Sequence, residues 1–351
     1  MTLRVLMVHE HFPPEVRGGG EYVVQETARW LIGQGVDLRV LTTGDPAITE
    51  HAGVPTLRLP ISRYALNLQA KRIAREAEGC DLIHAFNYHA ALPAFAAAKR
   101  LRIPIVCSLL GLFGNTWREM RGPILGRAFA ALERRIVSRP YARTIFLSED
   151  SRRLGLGMGA RPETSLVIVP GIDLARFHPA DKREDLIVFA GRLDRRKGIH
   201  HVIAVARALP KLRFQALGWA PDIDALRAAA PPNLAIIESR NSPAYPEALS
   251  RARIFFFPSH AETFGIVVAE AMAAGCAIVS SVDTMEFAGR RFRPGDERAM
   301  VAALSGLAAD PDAAEAAGAE NHRLAAIYGW DRAVTRVMET YAEVIAAARQ
   351  K

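Results

Sequence analysis

Residues 253–281 read RIFFFPSHAETFGIVVAEAMAAGCAIVSS, and this stretch decides the fold. Ile254 to Phe257 form a continuous apolar run of strand length, and Pro258 to Thr263 form a short polar turn. A helix is expected from about Phe264, leading into a second buried strand. From Thr263 to Ser281 every residue is apolar or small except Glu270. An ionised carboxylate on a buried helix needs a partner, and Glu262 stands in the turn eight positions earlier. A helix N-terminus after a strand presents free N–H groups and a partial positive charge, which suits an anion. Either the two carboxylates hold hydroxyls on both sides of such an anion, or this is an ordinary core helix whose glutamate meets a nearby arginine.

Working outward, apolar strand segments alternate with helical ones. Before the stretch come strands at Leu186 to Ala190, Arg213 to Leu217 and Leu234 to Glu238, with helices at Ile199 to Leu209, Ile223 to Ala229 and Ala244 to Leu249. The same alternation fills the first half, with strands at Leu3 to Val8, Asp37 to Leu41, Thr56 to Leu59, Asp81 to Ala85, Ile105 to Leu109, Thr144 to Leu147 and near Val167 to Val169. Its helices are expected at Glu21 to Gly33, Ala65 to Ala77, Ala90 to Arg100 and Pro123 to Ser138. Two helical segments, about Glu297 to Ala309 and Asp331 to Gln350, finish the chain. Such alternation predicts α/β parallel sheets with helices on both faces. The Pro-rich polar connector PGIDLARFHPADKRED, 170–185, marks the interdomain linker. The expected domains are 1–170 and 171–334, with the last helix, about 335–351, a candidate to pack back onto the first. Ligands of such sheets bind at the carboxyl ends of the strands, and two domains facing each other would make a cleft.

Composition agrees. At 351 residues two domains are the default, and 50% hydrophobic with 23% charged residues describes a well-cored globular chain. No apolar run reaches membrane-span length, and MTLRVLMVHEHF is too quickly polar for a signal peptide. The three cysteines, Cys80, Cys107 and Cys276, show no metal or disulfide spacing. A cytoplasmic location is therefore expected. The net charge of +8 favours anionic partners. Nucleic acid is not expected among them, because no basic tail, zinc-finger spacing or aromatic RNA-binding motif accompanies the charge.

Directly after the strand LIVFA, residues 191–198 read GRLDRRKG. Gly191 lets the backbone turn, and Arg192 and Lys197 are placed to neutralise a diphosphate; the alternative is a solvated basic loop. Gly18, Gly19 and Gly20 precede a helix and allow close backbone approach to a ligand, although they lack the Walker lysine and the dinucleotide spacing.

GRLDRRKG followed about seventy residues later by PSHAETFGIVVAEAMAAG resembles the retaining glycosyltransferases of family 4. So do FPPEVRGGGE, DLIHAF, the SED of TIFLSEDSRRL, VPGIDLARFHP, FRPGD and YGWDRAVTRVMETY, so that the likeness spans essentially the whole chain. The resemblance implies a GT-B fold: two Rossmann-like parallel-sheet domains facing each other across a cleft. It also implies transfer of a hexose-type sugar from a nucleotide-diphosphate-sugar to an acceptor hydroxyl, with no metal and no other cofactor. Arg192 and Lys197 would then bind the diphosphate, Glu270 the ribose hydroxyls and Glu262 the donor sugar. The backbone of Thr263, Phe264 and Gly265, with Gly191, would lie near sugar and phosphates. Gly18, Gly19, Gly20, Glu21 and His84 would line the acceptor side. The acceptor could be a glycan, a lipid-linked sugar or a small molecule. The chain departs from the family at Leu110, where a histidine is usual, at Phe86, and in the contracted segment VDTMEFAG, where Glu286 remains; Ala277 replaces a usual proline. Two other functions fit the same architecture: a catalytically silent sugar-nucleotide-binding protein and a sugar-nucleotide epimerase.

Other signals are weaker. Asp222 and Asp224 open a helix and read as N-caps, not as a metal-binding pair. His9, Glu10 and His11 supply no third metal ligand from elsewhere, and the glycines of 155–159 read as a helix-terminating loop. Residues 117–139, with six arginines against two glutamates and interleaved Trp117, Ile124, Leu125, Phe129 and Leu132, form a basic amphipathic segment. It suits either an anionic membrane surface, on the inner face of the membrane, or ordinary packing on the sheet.

Overall fold

The structure, a computed structural model, describes residues 2–15, 18–180, 184–239 and 244–350. Val16 and Arg17 of the first loop and residues 181–183 of the connector lie outside the described residues. The chain divides into two units, Met1–Gly171 with Trp330–Lys351, and Ile172–Gly329.

The first unit is built on eight strands: β1 (Arg4–Val8), β2 (Asp37–Thr43), β3 (Glu50–His51), β4 (Val54–Leu59), β5 (Leu82–Phe86), β6 (Ile105–Leu109), β7 (Arg143–Phe146) and β8 (Ser165–Val167). Their order is β3-β4-β2-β1-β5-β6-β7-β8, parallel except for the β3–β4 pair. Strands buried on both faces read as unbroken apolar runs, and β5 and β6 are buried throughout. The helices are α1 (Gly19–Gly33), α2 (Ala70–Glu76), α3 (Ala91–Leu101), α4 (Trp117–Arg121), α5 (Pro123–Val137) and α6 (Glu149–Gly157).

The second unit carries β9 (Glu184–Arg192), α7 (Ile199–Ala208), β10 (Arg213–Trp219), α8 (Ile223–Ala229), β11 (Leu234–Glu238), α9 (Ala244–Arg251), β12 (Ala252–Phe257), α10 (Ile266–Ala273), β13 (Ala277–Ser280), β14 (Gly289–Arg291), α11 (Glu297–Ala308) and α12 (Pro311–Ala325). The chain then returns to the first unit as α13 (Trp330–Arg349). The second sheet runs β11-β10-β9-β12-β13-β14, all parallel. Succession goes one way from β9 and the other way from β12, so the switch point lies between these two neighbours. A crevice opens at the carboxyl ends of such a pair. GRLDRRKG begins on the last two residues of β9 and PSHAETFG follows β12, one on each side of it.

The basic segment 117–139 holds two helices, the second being the one expected at Pro123 to Ser138. Gly122, at φ 77°, ends α4, and Pro123 opens α5 with the φ and missing N–H that a first helical turn accepts. Residues 65–77 divide into a 3₁₀ turn, Arg63–Leu68, capped by Ser62, and the short α2. α12 was not expected at all, because PDAAEAAGAENHRLA carries no wide apolar stripe. Its contact is made by small residues instead: a Cβ on Gly318 would stand 2.1 Å from the Gly275 carbonyl oxygen. Finally, Asp222 makes no capping hydrogen bond with its side chain, and Asp224 pairs with Arg227 at 2.9 Å.

Candidate active site

The loops after β9 and β12 are strapped together by their backbones. The His260 N–H donates to the Arg196 carbonyl at 2.9 Å, and the Arg196 guanidinium donates to the Ala261 carbonyl at 3.0 Å. Gly198, at φ 85°, sits so close that a Cβ would fall 2.2 Å from the Pro258 oxygen, which only glycine permits. This approach brings the Lys197 ammonium onto the Glu262 carboxylate as an ion pair. Ser259 Oγ donates to the same Glu262 oxygen at 2.7 Å, and Lys197 Nζ lies 5.4 Å from the centre of the Phe257 ring. Burial pushes the Lys197 ammonium below the ordinary lysine value, with Glu262 opposing. Arg192, by contrast, is exposed and pairs at 2.9 Å with Asp194, whose other oxygen accepts the Lys197 N–H at 2.9 Å. Gly191, at φ 137°, lets the chain turn out of β9. Two cations therefore stand at the switch point, each already facing a carboxylate.

α10 starts two residues later than expected, after Gly265 at φ 90°. Phe264 is buried and packs edge-on against Tyr328, and its carbonyl accepts from Thr284 Oγ1; Thr263 precedes it in the same stretch between β12 and α10. Glu270 is buried, and the group that meets it is a phenol rather than an arginine: Tyr245 O–H donates at 2.5 Å. Burial raises the Glu270 carboxyl to about 7, against the opposing effects of Tyr245 and the charge of Arg176. It is thus a carboxyl poised between its two protonation states near neutrality.

In the first unit, Gly18 caps α1 through its carbonyl, which accepts the Tyr22 N–H at 3.0 Å, and the Glu21 carboxylate folds back over Gly18. Gly19 opens α1, and Gly20 faces Leu110: a Cβ there would lie 3.5 Å from Leu110 Cδ1. The glycine loop and Leu110 are thus neighbours. His84 is not available to an acceptor. It is buried, with Nδ1 2.6 Å from Tyr341 Oη and Nε2 2.7 Å from Ser108 Oγ, and burial drives its imidazole down to about 3. Phe86 stacks on it at 4.4 Å. The strand position faces the core beneath α13, so His84 is a neutral packing residue. Glu286 is exposed and faces Arg291 at 3.7 Å.

Residues 18–171 match the glycosyl transferase 4-like domain, and residues 173–319 match the glycosyl transferases group 1 domain. The chain belongs to glycosyltransferase family 4. Among its relatives, the α-maltose-1-phosphate synthase of Mycolicibacterium smegmatis is 27% identical, over 98% of this chain and 100% of that protein. Among solved structures, sucrose-phosphate synthase from Thermosynechococcus elongatus superposes with a TM-score of 0.82 at 19% identity, over 98% of this chain and 100% of that one. Anabaena HepE in complex with UDP-glucose gives 0.77 at 18% identity, over 97% and 100%. The fold is GT-B, and the chain is a nucleotide-sugar glycosyltransferase of the group 1 type.

Two features of this glycosyltransferase escaped sequence reasoning. Glu133 of α5 is buried and gathers four donors: Tyr88 O–H and Trp117 Nε1–H, each at 2.7 Å, the Gly114 N–H at 2.7 Å and the Phe113 N–H at 3.1 Å. Burial still raises its carboxyl above the ordinary value. It fixes the loop after β6, which begins at Leu110, and its setting as the lone acid of the arginine-rich α5 was the available signal. Glu10, at the end of β1, accepts the N–H groups of Tyr88 and His89 and faces Arg63 at 3.5 Å. Burial alone would raise it, but His9, the His89 N–H and Arg63 outweigh that and hold it below the ordinary range. It ties the two loops at the first sheet's own switch point, between β1 and β5.

Proposed function

We propose that this glycosyltransferase is a retaining hexosyltransferase, in which the second unit holds a nucleoside-diphosphate-hexose and the first receives the acceptor hydroxyl. The observation that carries this is the pairing of Arg192 and Lys197 with carboxylates at the β9–β12 switch point, beside the N-terminus of α10. Arg192 and Lys197 take the diphosphate, Glu262 turns to the hydroxyls of the hexose, and Glu270 accepts from the ribose. The acceptor oxygen attacks the anomeric carbon on the face from which the diphosphate leaves. The bond from that carbon to the phosphate oxygen breaks, the acceptor proton passes to the departing phosphate, and the configuration is kept. Negative charge grows on the leaving diphosphate, so cations held in place contribute more to the transition state than to the bound donor. Because His84 is enclosed, the acceptor side is assigned to the glycine loop, Glu21 and the loop beginning at Leu110.

Screening UDP-, GDP- and ADP-glucose for thermal stabilisation identifies the base, since a ligand at a hundred times its Kd adds roughly 2.7 kcal/mol. NMR of the product is expected to give the donor's own anomeric configuration, and Glu262→Ala is expected to abolish transfer while leaving the donor bound. An inverted product, a released epimerised sugar nucleotide, or tight donor binding without turnover over a broad acceptor panel overturns the proposal.

A lipid-linked acceptor is the version favoured by the α4–α5 surface. Arg118, Arg127, Arg134 and Arg135 line an open groove of about 440 Å³, and Ile124 and Leu125 are 82% and 59% exposed at the start of α5. Among the described residues no helix is long and apolar enough to cross a membrane, so contact would be peripheral. Co-sedimentation with anionic vesicles is expected to decline with salt and with Ile124→Ser/Leu125→Ser; equal binding to neutral vesicles contradicts it.

A further inference from the structure

Behind the loops that carry Lys197 and Glu262, three histidines converge. His200 and His201 stand in the first turn of α7, immediately after GRLDRRKG, and His260 follows β12. Adjacent residues on a helix ordinarily diverge, yet the rings of His200 and His201 lie 3.9 Å apart, and the His200 ring is stacked parallel to that of His260 at 5.6 Å. One ring nitrogen from each of the three lies within 4.8 Å of the other two. His201 Nε2 and His260 Nε2 are 3.1 Å apart, and His201 Nδ1 is 2.8 Å from Glu297 Oε1 on α11. Among the described residues, His200 Nδ1 is buried with no hydrogen-bond partner.

These contacts set the protons. Glu297 accepts the Nδ1–H of His201, which leaves the lone pair on Nε2, directed at His260. Two imidazole nitrogens 3.1 Å apart need either a shared proton or a shared cation between them. A carboxylate behind a histidine whose other nitrogen points at further imidazoles is the arrangement that orients metal-bound histidines. At Zn–N bonds of about 2.0–2.1 Å, two tetrahedral ligands stand roughly 3.3–3.4 Å apart, close to the spacing of the His201–His260 pair. His260 is exposed, which leaves its ring room to adjust.

We propose that His200, His201 and His260 form a tri-imidazole site for a zinc-class divalent ion, with Glu297 orienting His201 and a fourth position open to water. Three nitrogen donors without an oxygen cage select zinc, cobalt, nickel or copper over magnesium and calcium. The ion joins α7 to the turn after β12, and so ties together the two segments that hold Lys197 and Glu262. No step of the transfer reaction passes through it.

The test uses the untagged full chain, stripped with EDTA and titrated with Zn²⁺ against a chromogenic chelator. One equivalent is expected to bind, Mg²⁺ is expected not to compete, and the Co²⁺ form is expected to show the visible bands of a nitrogen-ligated, low-coordinate ion. His201→Ala and His260→Ala should each weaken Zn²⁺ at least tenfold, Glu297→Gln by 10- to 100-fold, and His178→Ala not at all. Zn²⁺ should raise the Tm of the wild type but not of His260→Ala, whose exposed side chain can be removed without disturbing the metal-free fold. Wild-type affinity in His260→Ala and Glu297→Gln, competition by Mg²⁺, or a Co²⁺ spectrum of all-oxygen ligation overturns the proposal.

Discussion

Glu270→Gln separates the cost of burying a carboxyl from its use. In the folded chain this carboxyl is raised to about 7 from an ordinary 4.5. Between those values the folded chain holds a proton that the unfolded chain has lost. Stability therefore falls as pH rises through this window and is level above it. At about 1.4 kcal/mol per unit, the burial costs roughly 3 kcal/mol at pH 8. The glutamine amide is neutral at every pH and keeps an oxygen to accept from Tyr245 O–H. Glu270→Gln should match the wild type near pH 4.5 and exceed it by about 3 kcal/mol above pH 7. Urea unfolding from about pH 5 to about pH 8.5 measures this, with Trp219 as the reporter within residues 172–329. The difference between the two curves cancels every other titrating group. If ribose hydroxyls donate to the ionised carboxylate, wild-type affinity for the donor should also improve up to about tenfold per pH unit below 7, whereas the variant should bind weakly and without pH dependence. A stability difference that is the same at all pH values refutes this account of Glu270, and unchanged donor affinity in the variant refutes its ribose role.

Gly198→Ala sets a Cβ against the Pro258 oxygen at a φ of 85° and should cost at least about 1–3 kcal/mol. Because it pries apart the loops that pair Lys197 with Glu262, differential scanning calorimetry should also find donor-induced stabilisation reduced; a neutral result means the loops part freely. Tyr341→Phe removes the O–H beside His84 Nδ1 and leaves a buried nitrogen unpaired, for a loss of roughly 1–3 kcal/mol by thermal unfolding. Unchanged stability would show that His84 does not depend on α13.

The strands were legible because parallel strands covered on both faces must be apolar at every position. β6 runs over Ile105–Leu109, buried at every position, as its apolar run predicts; β11, at Leu234–Glu238, is an edge strand and only partly buried, and its bounds too match the expectation. Legibility stopped where packing depends on small residues or on a single backbone torsion. α12 seats Gly318 on Gly275 without an apolar stripe, and Gly122 sets off the short, unexpected α4 from α5. His84 shows the same limit from the other side, since its strand position is visible but the α13 tyrosine that encloses it comes 257 residues later.

At the candidate site the residue types were readable, and their pairing was not. Lys197 and Glu262 are 65 residues apart, and no spacing rule joins them; they meet because β9 and β12 are neighbours and Gly198 lets their loops touch. That pairing changes the energetics of anion binding. A diphosphate bound as proposed would not arrive at bare cations, because Lys197 already faces Glu262 and Arg192 already faces Asp194. Binding would exchange one carboxylate for one phosphate at each cation, and the net gain would be the difference between two ion pairs, smaller than the full attraction of either. Glu262 would then keep only the Ser259 hydroxyl of its present side-chain partners, and the hydroxyls of a sugar would supply the rest. On the proposed donor site, selectivity for a glycosylated diphosphate over bare diphosphate would therefore follow from the ion pairs that occupy the site beforehand, since a ligand bringing hydroxyls replaces the donor that Glu262 loses with Lys197.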